Sequence, residues 1–206
     1  MEQNANDLHA TPLIAARALA DEIDRRRSKR VRPFVVALDG GSGAGKTTLA
    51  ILAAPLLGAA LVHYDDFFDA AIADEEWDRS TAEQRCRRCM DWRRARREAL
   101  LPLLDGRPAC YRPFSFETAD RLAREAVTVP PADVILLEGI YANLPGLSDL
   151  IDLSVLVHVP ADVRTRRHNE RENGEDLAWH GRWDAAEAYY FARIRPPSSF
   201  DLVLNL

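Results

Sequence analysis

The residues with the clearest chemical potential lie early in the chain, at positions 40–47, and match the pattern Gly-x-x-x-x-Gly-Lys-Ser/Thr. An unbroken apolar run precedes them and a helical pattern follows them, which is the context in which this pattern binds phosphate. Its glycines let successive backbone N–H groups point toward an anion at the positive end of the following helix. The sequence therefore predicts a nucleotide-binding loop formed by Gly40, Gly41, Ser42, Gly43, Ala44, Gly45, Lys46, Thr47 and Thr48.

Two side chains of this loop have separate predicted tasks. Lys46 is one of only two lysines in the chain, and its compact charge suits contact with the β- and γ-phosphates of a nucleotide. The hydroxyl of Thr47 is expected to be a ligand of magnesium. ATP and Mg²⁺ are the ligands that this combination predicts.

Carboxylates follow the second and third unbroken apolar runs of the chain: Asp65 and Asp66 after one, Glu138 after the other. Because the carboxyl ends of parallel strands meet beside a phosphate loop, these groups are expected to converge there. Phosphoryl transfer needs a hydroxyl oriented by a carboxylate and a metal that bridges the phosphates. Asp65 is the preferred base and Asp66 is the alternative. Asp39, directly before the loop, has two open assignments, to the metal's water shell or to a structural hydrogen bond.

Three segments together carry a resemblance to a known family. They are the phosphate loop, the segment His63-Tyr64-Asp65-Asp66-Phe67-Phe68 and the segment Glu138-Gly139-Ile140-Tyr141-Ala142. In these segments the chain resembles the uridine kinase family and its relatives, the nicotinamide riboside, pantothenate and phosphoribulose kinases. The resemblance implies that Asp65 is the base on the acceptor hydroxyl and that Glu138 helps to hold the metal.

An arginine-rich segment at 162–172 resembles the lid of the same family, whose pattern is Arg-x-x-Arg-Arg-x-x-Arg-Asp. Arg164, Arg167 and Arg171 match this pattern, while His168 stands where an arginine is usual and Glu172 replaces the aspartate. On a helix the three arginines share one face, and cations that close over a triphosphate can neutralise the charge that develops during transfer. We expect a small helical lid at about residues 161–190; a solvated surface is the competing explanation for each arginine.

The acceptor site is assigned through the resemblance as well. The predicted acceptor residues are Asp65, Asp78, Tyr111, Phe114 and Arg121, with Asp91 as an alternative to Asp78. At positions 114, 115 and 119 the chain has Phe, Ser and Ala where the family has Tyr, Asp and His around the nucleoside. These departures fall on the groups that read a pyrimidine, so the phosphate acceptor stays open.

The elements that must position these residues follow from the hydrophobic pattern. Unbroken apolar runs, typical of strands buried on both faces, occur at 33–38, 59–63, 133–137, 153–159 and 200–204. Helical patterns occur at 11–27, 46–57 and 82–104, the first with Thr11 as its N-cap. Strands that alternate with helices predict an α/β fold: a P-loop NTPase-type three-layer sandwich around a mostly parallel five-stranded sheet, with the small helical lid.

Composition narrows the class of protein further. The chain has 206 residues, 47% of them hydrophobic, which suits one compact globular domain. Together with the motifs and the resemblance, this predicts a single P-loop kinase domain over residues 1–206. Its net charge of −5 and the lack of a long lysine block argue against nucleic acid as a partner. No apolar run is long enough to span a membrane and the first residues do not resemble a signal peptide, so a cytoplasmic location without membrane association is expected. Assembly into a homo-oligomer is left open.

The favoured function is ATP-dependent, magnesium-requiring transfer of phosphate to a hydroxyl of a small molecule, most simply a nucleoside-like one. The altered acceptor stretch also permits a P-loop ATPase or a nucleotide-binding regulator without a small-molecule acceptor. A third hypothesis is a phosphotransferase that acts on a nucleotide monophosphate or an antibiotic.

Overall fold

A computed structural model describes residues 12–28, 32–171 and 177–206 of the chain. Its strands are β1 Phe34–Asp39, β2 Ala60–His63, β3 Ala109–Tyr111, β4 Val127–Val129, β5 Val134–Glu138, β6 Leu153–His158 and β7 Leu202–Asn205. Its helices are α1 Pro12–Arg27, α2 Lys46–Leu57, α3 Asp74–Arg79, α4 Ala82–Arg88, α5 Trp92–Ala95, α6 Leu101–Leu104, α7 Ala161–Arg171 and α8 Leu177–Tyr189. Wider π-helical turns join α5 to α6 (Arg96–Leu100) and extend α8 (Tyr190–Ile194).

Five strands form one parallel sheet in the order β2-β5-β1-β6-β7. The central strand β1 pairs with β5 from Phe34 opposite Val134 and with β6 from Val36 opposite Leu153. Every residue of β1 and β5 is buried, because helices cover both faces of the sheet. The predicted α/β fold with a five-stranded parallel sheet is therefore confirmed, with strand ends that differ from the predicted ones by up to two residues.

Alternate residues of β1 face two different hydrophobic cores. Val36 and Leu38 pack in the core that contains Leu19 of α1 and Leu49 of α2. Val35 and Ala37 belong to the opposite core, which includes Trp77, Leu100 and Tyr190. This second core lies under α3 to α6 and α8, which are the elements on the side of the predicted acceptor site.

The predicted N-terminal helix begins at Pro12 in the structure, and Thr11, its expected N-cap, lies outside the described residues. The helix predicted at 82–104 is wrong as a single element. It is interrupted after α4, where Asp69 N–H donates to the carbonyl of Cys89 and Asp91 N–H donates to that of Phe67. The backbone at the interruption thus pairs with the segment that follows β2, and Asp91 caps α5 by accepting the N–H of Arg94.

The sequence prediction also missed the antiparallel hairpin of β3 and β4, which pairs Ala109 with Val129. Each strand has three residues, too few for a period of two to stand out in the sequence.

Within residues 12–28, 32–171 and 177–206, no helix is both long enough and apolar enough to cross a membrane.

Candidate active site

The phosphate loop connects β1 to α2 at the carboxyl edge of the sheet. Gly43 and Gly45 have φ angles of +75° and +87°, in the left-handed region that favours glycine, and Gly45 directly precedes the first turn of α2. The side chain of Lys46 folds back over the loop, and its ammonium group donates to the carbonyl of Gly41 at 3.1 Å. The structure therefore brings the loop backbone, Lys46 and the start of α2 to one place, as the sequence predicts.

Thr47 and Glu138 meet beside the loop. The Thr47 hydroxyl, exposed at the start of α2, donates to the two carboxylate oxygens of Glu138 at 3.1 and 3.2 Å. His63, at the end of β2, lies with its Nδ1 2.6 Å from Oε1 of the buried Glu138, and this hydrogen bond raises the pKa of His63. A hydroxyl beside a carboxylate is a donor set of hard oxygens, which fits Mg²⁺.

Asp39 has a structural role. Its buried carboxylate accepts the N–H groups of Gly40 at 2.8 Å, Tyr141 at 3.0 Å and Asn143 at 3.1 Å. The hydroxyl of Tyr190 also donates to it. Burial raises the pKa of Asp39 despite these donors, since desolvation disfavours the charged form. Of its two open assignments, the hydrogen bonds support the second: Asp39 ties the phosphate loop to the segment after β5.

The two candidate bases have different surroundings in the single turn of 3₁₀ helix Tyr64–Phe67. The Asp66 carboxylate accepts the hydroxyl of Tyr111 at 3.1 Å, and its backbone carbonyl accepts from Arg94 at 2.6 Å. Asp65 is an exposed residue as a whole, yet the protein packed around its carboxyl raises the pKa of that group by desolvation, against the opposing charge of Lys46.

Gly139 explains how Asp65 comes close to Glu138. Its φ is +155°, and a Cβ at this position would lie 2.7 Å from Cβ of Tyr64 and 3.1 Å from Oδ1 of Asp65. Only a residue without a side chain lets the turn after β2 pack against the end of β5. Gly139 thus makes room for the neighbouring turn, and Glu138 beside it is a carboxylate that could hold a metal.

The helix α7, where the sequence predicts the lid, rests on the phosphate loop. Arg164 donates from Nη1 to the carbonyl of Ser42 at 3.1 Å. Nη1 of Arg167 lies 4.0 Å from where a Cβ of Gly45 would be. His168 is buried with Nδ1 3.4 Å from the Ser42 hydroxyl. The side chain of Arg171, like the whole of Glu172, lies outside the described part of the chain.

The predicted acceptor residues are only partly gathered at the cleft. Tyr111 is buried behind Asp66, and the ring of Phe114 lies 4.9 Å from that of Phe68. Asp78 has a mostly exposed side chain, 62% accessible, in an ion pair with Arg182 at 2.8 Å. Arg121 donates to the Ile72 carbonyl and to Asp74. Asp78 and Arg121 thus hold elements around the cleft together in this structure.

Sequence reasoning missed three residues on one face of α8 and its extension. Trp183 packs with its ring centroid 5.7 Å from Phe68, Glu187 bonds the phosphate loop, and Tyr190 bonds Asp39. Their spacing of four and three residues is the signal that could have found them, because it is the period of one helix face.

Comparison with known proteins identifies the family to which the chain is similar. The model of the phosphoribulokinase/uridine kinase family matches residues 35–176. A uridine kinase from Halobacterium salinarum is 33% identical over 150 residues, which span 70% of this chain and 66% of that protein. A uridine kinase from Clostridium botulinum is 30% identical over 179 residues, 80% of each protein.

Solved structures show the same fold. A candidate fructose transport system kinase from Silicibacter sp. TM1040 superposes with a TM-score of 0.67 at 25% identity, over 92% of this chain and 98% of that one. A possible uridine kinase from Bacillus stearothermophilus superposes with a TM-score of 0.62 at 21% identity, over 91% and 99%. The family match begins in β1 and runs through α7, and the chain belongs to the phosphoribulokinase/uridine kinase family as a uridine kinase-like, ATP-dependent kinase.

Proposed function

We propose that this chain transfers the γ-phosphoryl group of ATP, with Mg²⁺ bound at Thr47 and Glu138, to a hydroxyl group of a nucleoside-like small molecule. The observation that carries the proposal is the convergence of Lys46, the Thr47–Glu138 pair and Asp65 at one edge of the sheet. Relatives described as uridine kinases support the nucleoside-like acceptor.

The phosphate loop and the lid supply the binding and charge stabilisation in this proposal. Backbone N–H groups of the loop and Lys46 hold the β- and γ-phosphates. Thr47 and Glu138 would hold Mg²⁺, which would supply positive charge against the charge that develops during transfer. Arg164, Arg167 and Arg171 come from the lid helix, where their positive charge can act on the same group.

Asp65 acts as the base that orients the acceptor hydroxyl and accepts its proton. As an exposed residue Asp65 is accessible to an acceptor, whereas the Asp66 carboxylate accepts the hydroxyl of Tyr111. The position of Asp65 beside Glu138 and Lys46 puts an acceptor hydroxyl next to the phosphate loop, as in-line transfer requires.

An aromatic group lies on the acceptor side. Phe68 is in ring contact with Trp77, Phe114 and Trp183, at centroid distances of 5.7, 4.9 and 5.7 Å. Trp77 is fully buried, but the partly exposed rings of Phe68, Phe114 and Trp183 can stack on a flat base or another planar ring, which supports a nucleoside-like acceptor. Asp78, Tyr111 and Arg121 would then shape the cleft from behind or beside these rings.

The test compares Asp65→Asn with Asp66→Asn in magnesium-dependent ADP release across nucleosides, vitamins and sugars. Because Asp65 is the base, Asp65→Asn is expected to lower kcat on the true acceptor by between about 10²- and 10⁴-fold. Asp66→Asn keeps an oxygen that can accept from Tyr111 and is expected to lose about tenfold or less.

The two variants form a matched pair, since both replace a carboxylate by an amide in the same turn. Unchanged turnover by Asp65→Asn would exclude it as the base. If ATP binds stably and no acceptor stimulates ADP release, the chain is instead an ATPase or a nucleotide-binding regulator. That second function is favoured by the replacements at Ser115 and Ala119.

A further inference from the structure

A carboxylate from α8 sits directly on the phosphate loop. Oε2 of Glu187 accepts the backbone N–H of Ser42 at 2.9 Å, and Oε1 lies 2.5 Å from Nη1 of Arg164. The same Nη1 donates to the Ser42 carbonyl at 3.1 Å. The N–H and C=O of one loop residue are thus bound by two side chains of opposite charge, which also bind each other.

The side chains of this ion pair are mostly buried. The side chains of Arg164 and Glu187 are 21% and 12% exposed. An ion pair at that depth is screened less by water and salt than one on the open surface. Its geometry, with hydrogen bonds on both sides, is expected to persist in solution.

The surroundings of Gly41 show how closely Arg164 and Glu187 approach the phosphate loop. A Cβ on Gly41 would lie 2.1 Å from Nη1 of Arg164 and 2.5 Å from Oε1 of Glu187. The φ angle of Gly41 is not positive, so its backbone conformation does not by itself require glycine. The pair needs the space of the missing side chain, and this explains the glycine.

Charge decides what the pair does to a bound nucleotide. A guanidinium in contact with a carboxylate is close to neutral as a unit, so Arg164 adds little net positive charge to the loop while Glu187 holds it. Either charge left alone at this place would act strongly on a triphosphate bound at the loop. Glu187 therefore determines both the position and the effective charge of the lid arginine.

We propose that Glu187 is a positioning residue that fixes Arg164 on the phosphate loop, and that the two side chains act on the triphosphate as one unit. The proposal deepens the proposed function, in which the triphosphate is that of ATP. It replaces the independent role that the sequence assigns to Arg164 with a coupled one.

The test is a double-mutant cycle read as the affinity for ATP with Mg²⁺, measured by titration calorimetry. Arg164→Met leaves an unpaired carboxylate beside the phosphates and is expected to weaken binding about tenfold or more. Glu187→Gln keeps an oxygen for the Ser42 N–H and removes the negative charge, so its affinity is expected to equal or exceed that of the wild type. The double variant is expected to return to within about threefold of the wild type.

Recovery of affinity in the double variant is a result that loss of structure does not produce. A double variant as weak as Arg164→Met, or weaker binding by Glu187→Gln, would overturn the proposal. Glu170→Gln changes the same charge on an exposed position of α7 and is expected to bind like the wild type. Circular dichroism melting of each variant confirms that it is folded.

The cycle needs no acceptor, so its failure is distinct from a failure of the proposed function. In a wild-type chain that binds ATP and phosphorylates nothing, the coupling between Glu187 and Arg164 is still measurable. Where an acceptor is turned over, kcat provides a second readout. Glu187→Gln is then expected to lower kcat about tenfold without raising the KM for ATP, because the guanidinium is present but no longer held in place.

Discussion

Asp65 and Asp66 are adjacent in the chain but have different chemical environments. The Asp66 carboxylate is held by the hydroxyl of Tyr111, and its backbone carbonyl by Arg94. The pKa of Asp65 is instead influenced by burial first and then by the charges of Lys46 and Glu138. A base must be able to reach its substrate, so the hydrogen bonds around Asp66 support the choice of Asp65.

The pH dependence of turnover follows from the surroundings of Asp65. Burial raises the pKa of this carboxyl above its ordinary value of 3.8. A base works only when it is ionised, so kcat/KM is expected to be constant at neutral pH and to fall as the pH drops through this raised pKa. Initial rates with saturating Mg²⁺, taken where circular dichroism shows a folded chain, measure this limb. Turnover that stays constant down to the ordinary value would contradict the assignment.

At the scale of elements, α8 joins both halves of the site. Through Trp183 it contacts the aromatic group around Phe68, through Glu187 it contacts the phosphate loop, and through Tyr190 in its extension it reaches Asp39. A movement of α8 would therefore change contacts on the predicted acceptor side and on the nucleotide side together. This gives α8 a role that the arginines of α7 alone do not explain.

The helix α1 stabilises the sheet from the opposite face. Leu19 is fully buried in the core with α2, whereas Leu13 on the same helix is 44% exposed. Leu19→Ala is expected to lower the free energy of unfolding by about 2–5 kcal/mol, through lost burial and the cavity that remains. Urea denaturation measures the change. Leu13→Ala is the matched control and is expected to cost much less; equal losses would mean that α1 does not pack on the sheet as described.

At the scale of the whole molecule, the order of strands brings the chemistry together. The neighbours β2, β5 and β1 end in His63, Glu138 and Asp39, and the segments that follow these strands carry Asp65, Gly139 and the phosphate loop. The carboxyl ends of parallel strands open at one edge, so residues 75 and 91 positions apart in the chain, His63 and Glu138, and Thr47 and Glu138, become neighbours there.

Nucleotide binding should stabilise the whole fold. A ligand that binds only the folded chain adds RT ln(1 + [L]/Kd), which is about 2.7 kcal/mol at a concentration of 100 Kd. Thermal unfolding with and without ATP and Mg²⁺ is expected to show this shift, and Lys46→Ala is expected to lose most of it. Arg107→Ala, at an exposed ion pair with Asp105, is expected to keep it. A shift that survives Lys46→Ala would contradict the placement of the phosphates at Lys46.

The sequence by itself determined the parallel sheet and the phosphate loop, because their patterns are local: a buried strand is an unbroken apolar run and the loop is eight consecutive residues. Through family resemblance it also predicted the roles of Asp65 and Glu138, which the structure brings to the same edge. The predicted roles of Arg167 and Arg171 in the lid stay predictions.

Only the tertiary structure decided the partners of these residues. Tyr111 donates to Asp66, Tyr190 donates to Asp39 and Glu187 pairs with Arg164, and the members of these pairs are 45, 151 and 23 positions apart in the chain. No local pattern encodes which distant side chain fills a given space. Gly41 is an example. In the sequence it is one residue of a glycine-rich loop motif, whereas in the folded chain Arg164 and Glu187 occupy the place where its side chain would be.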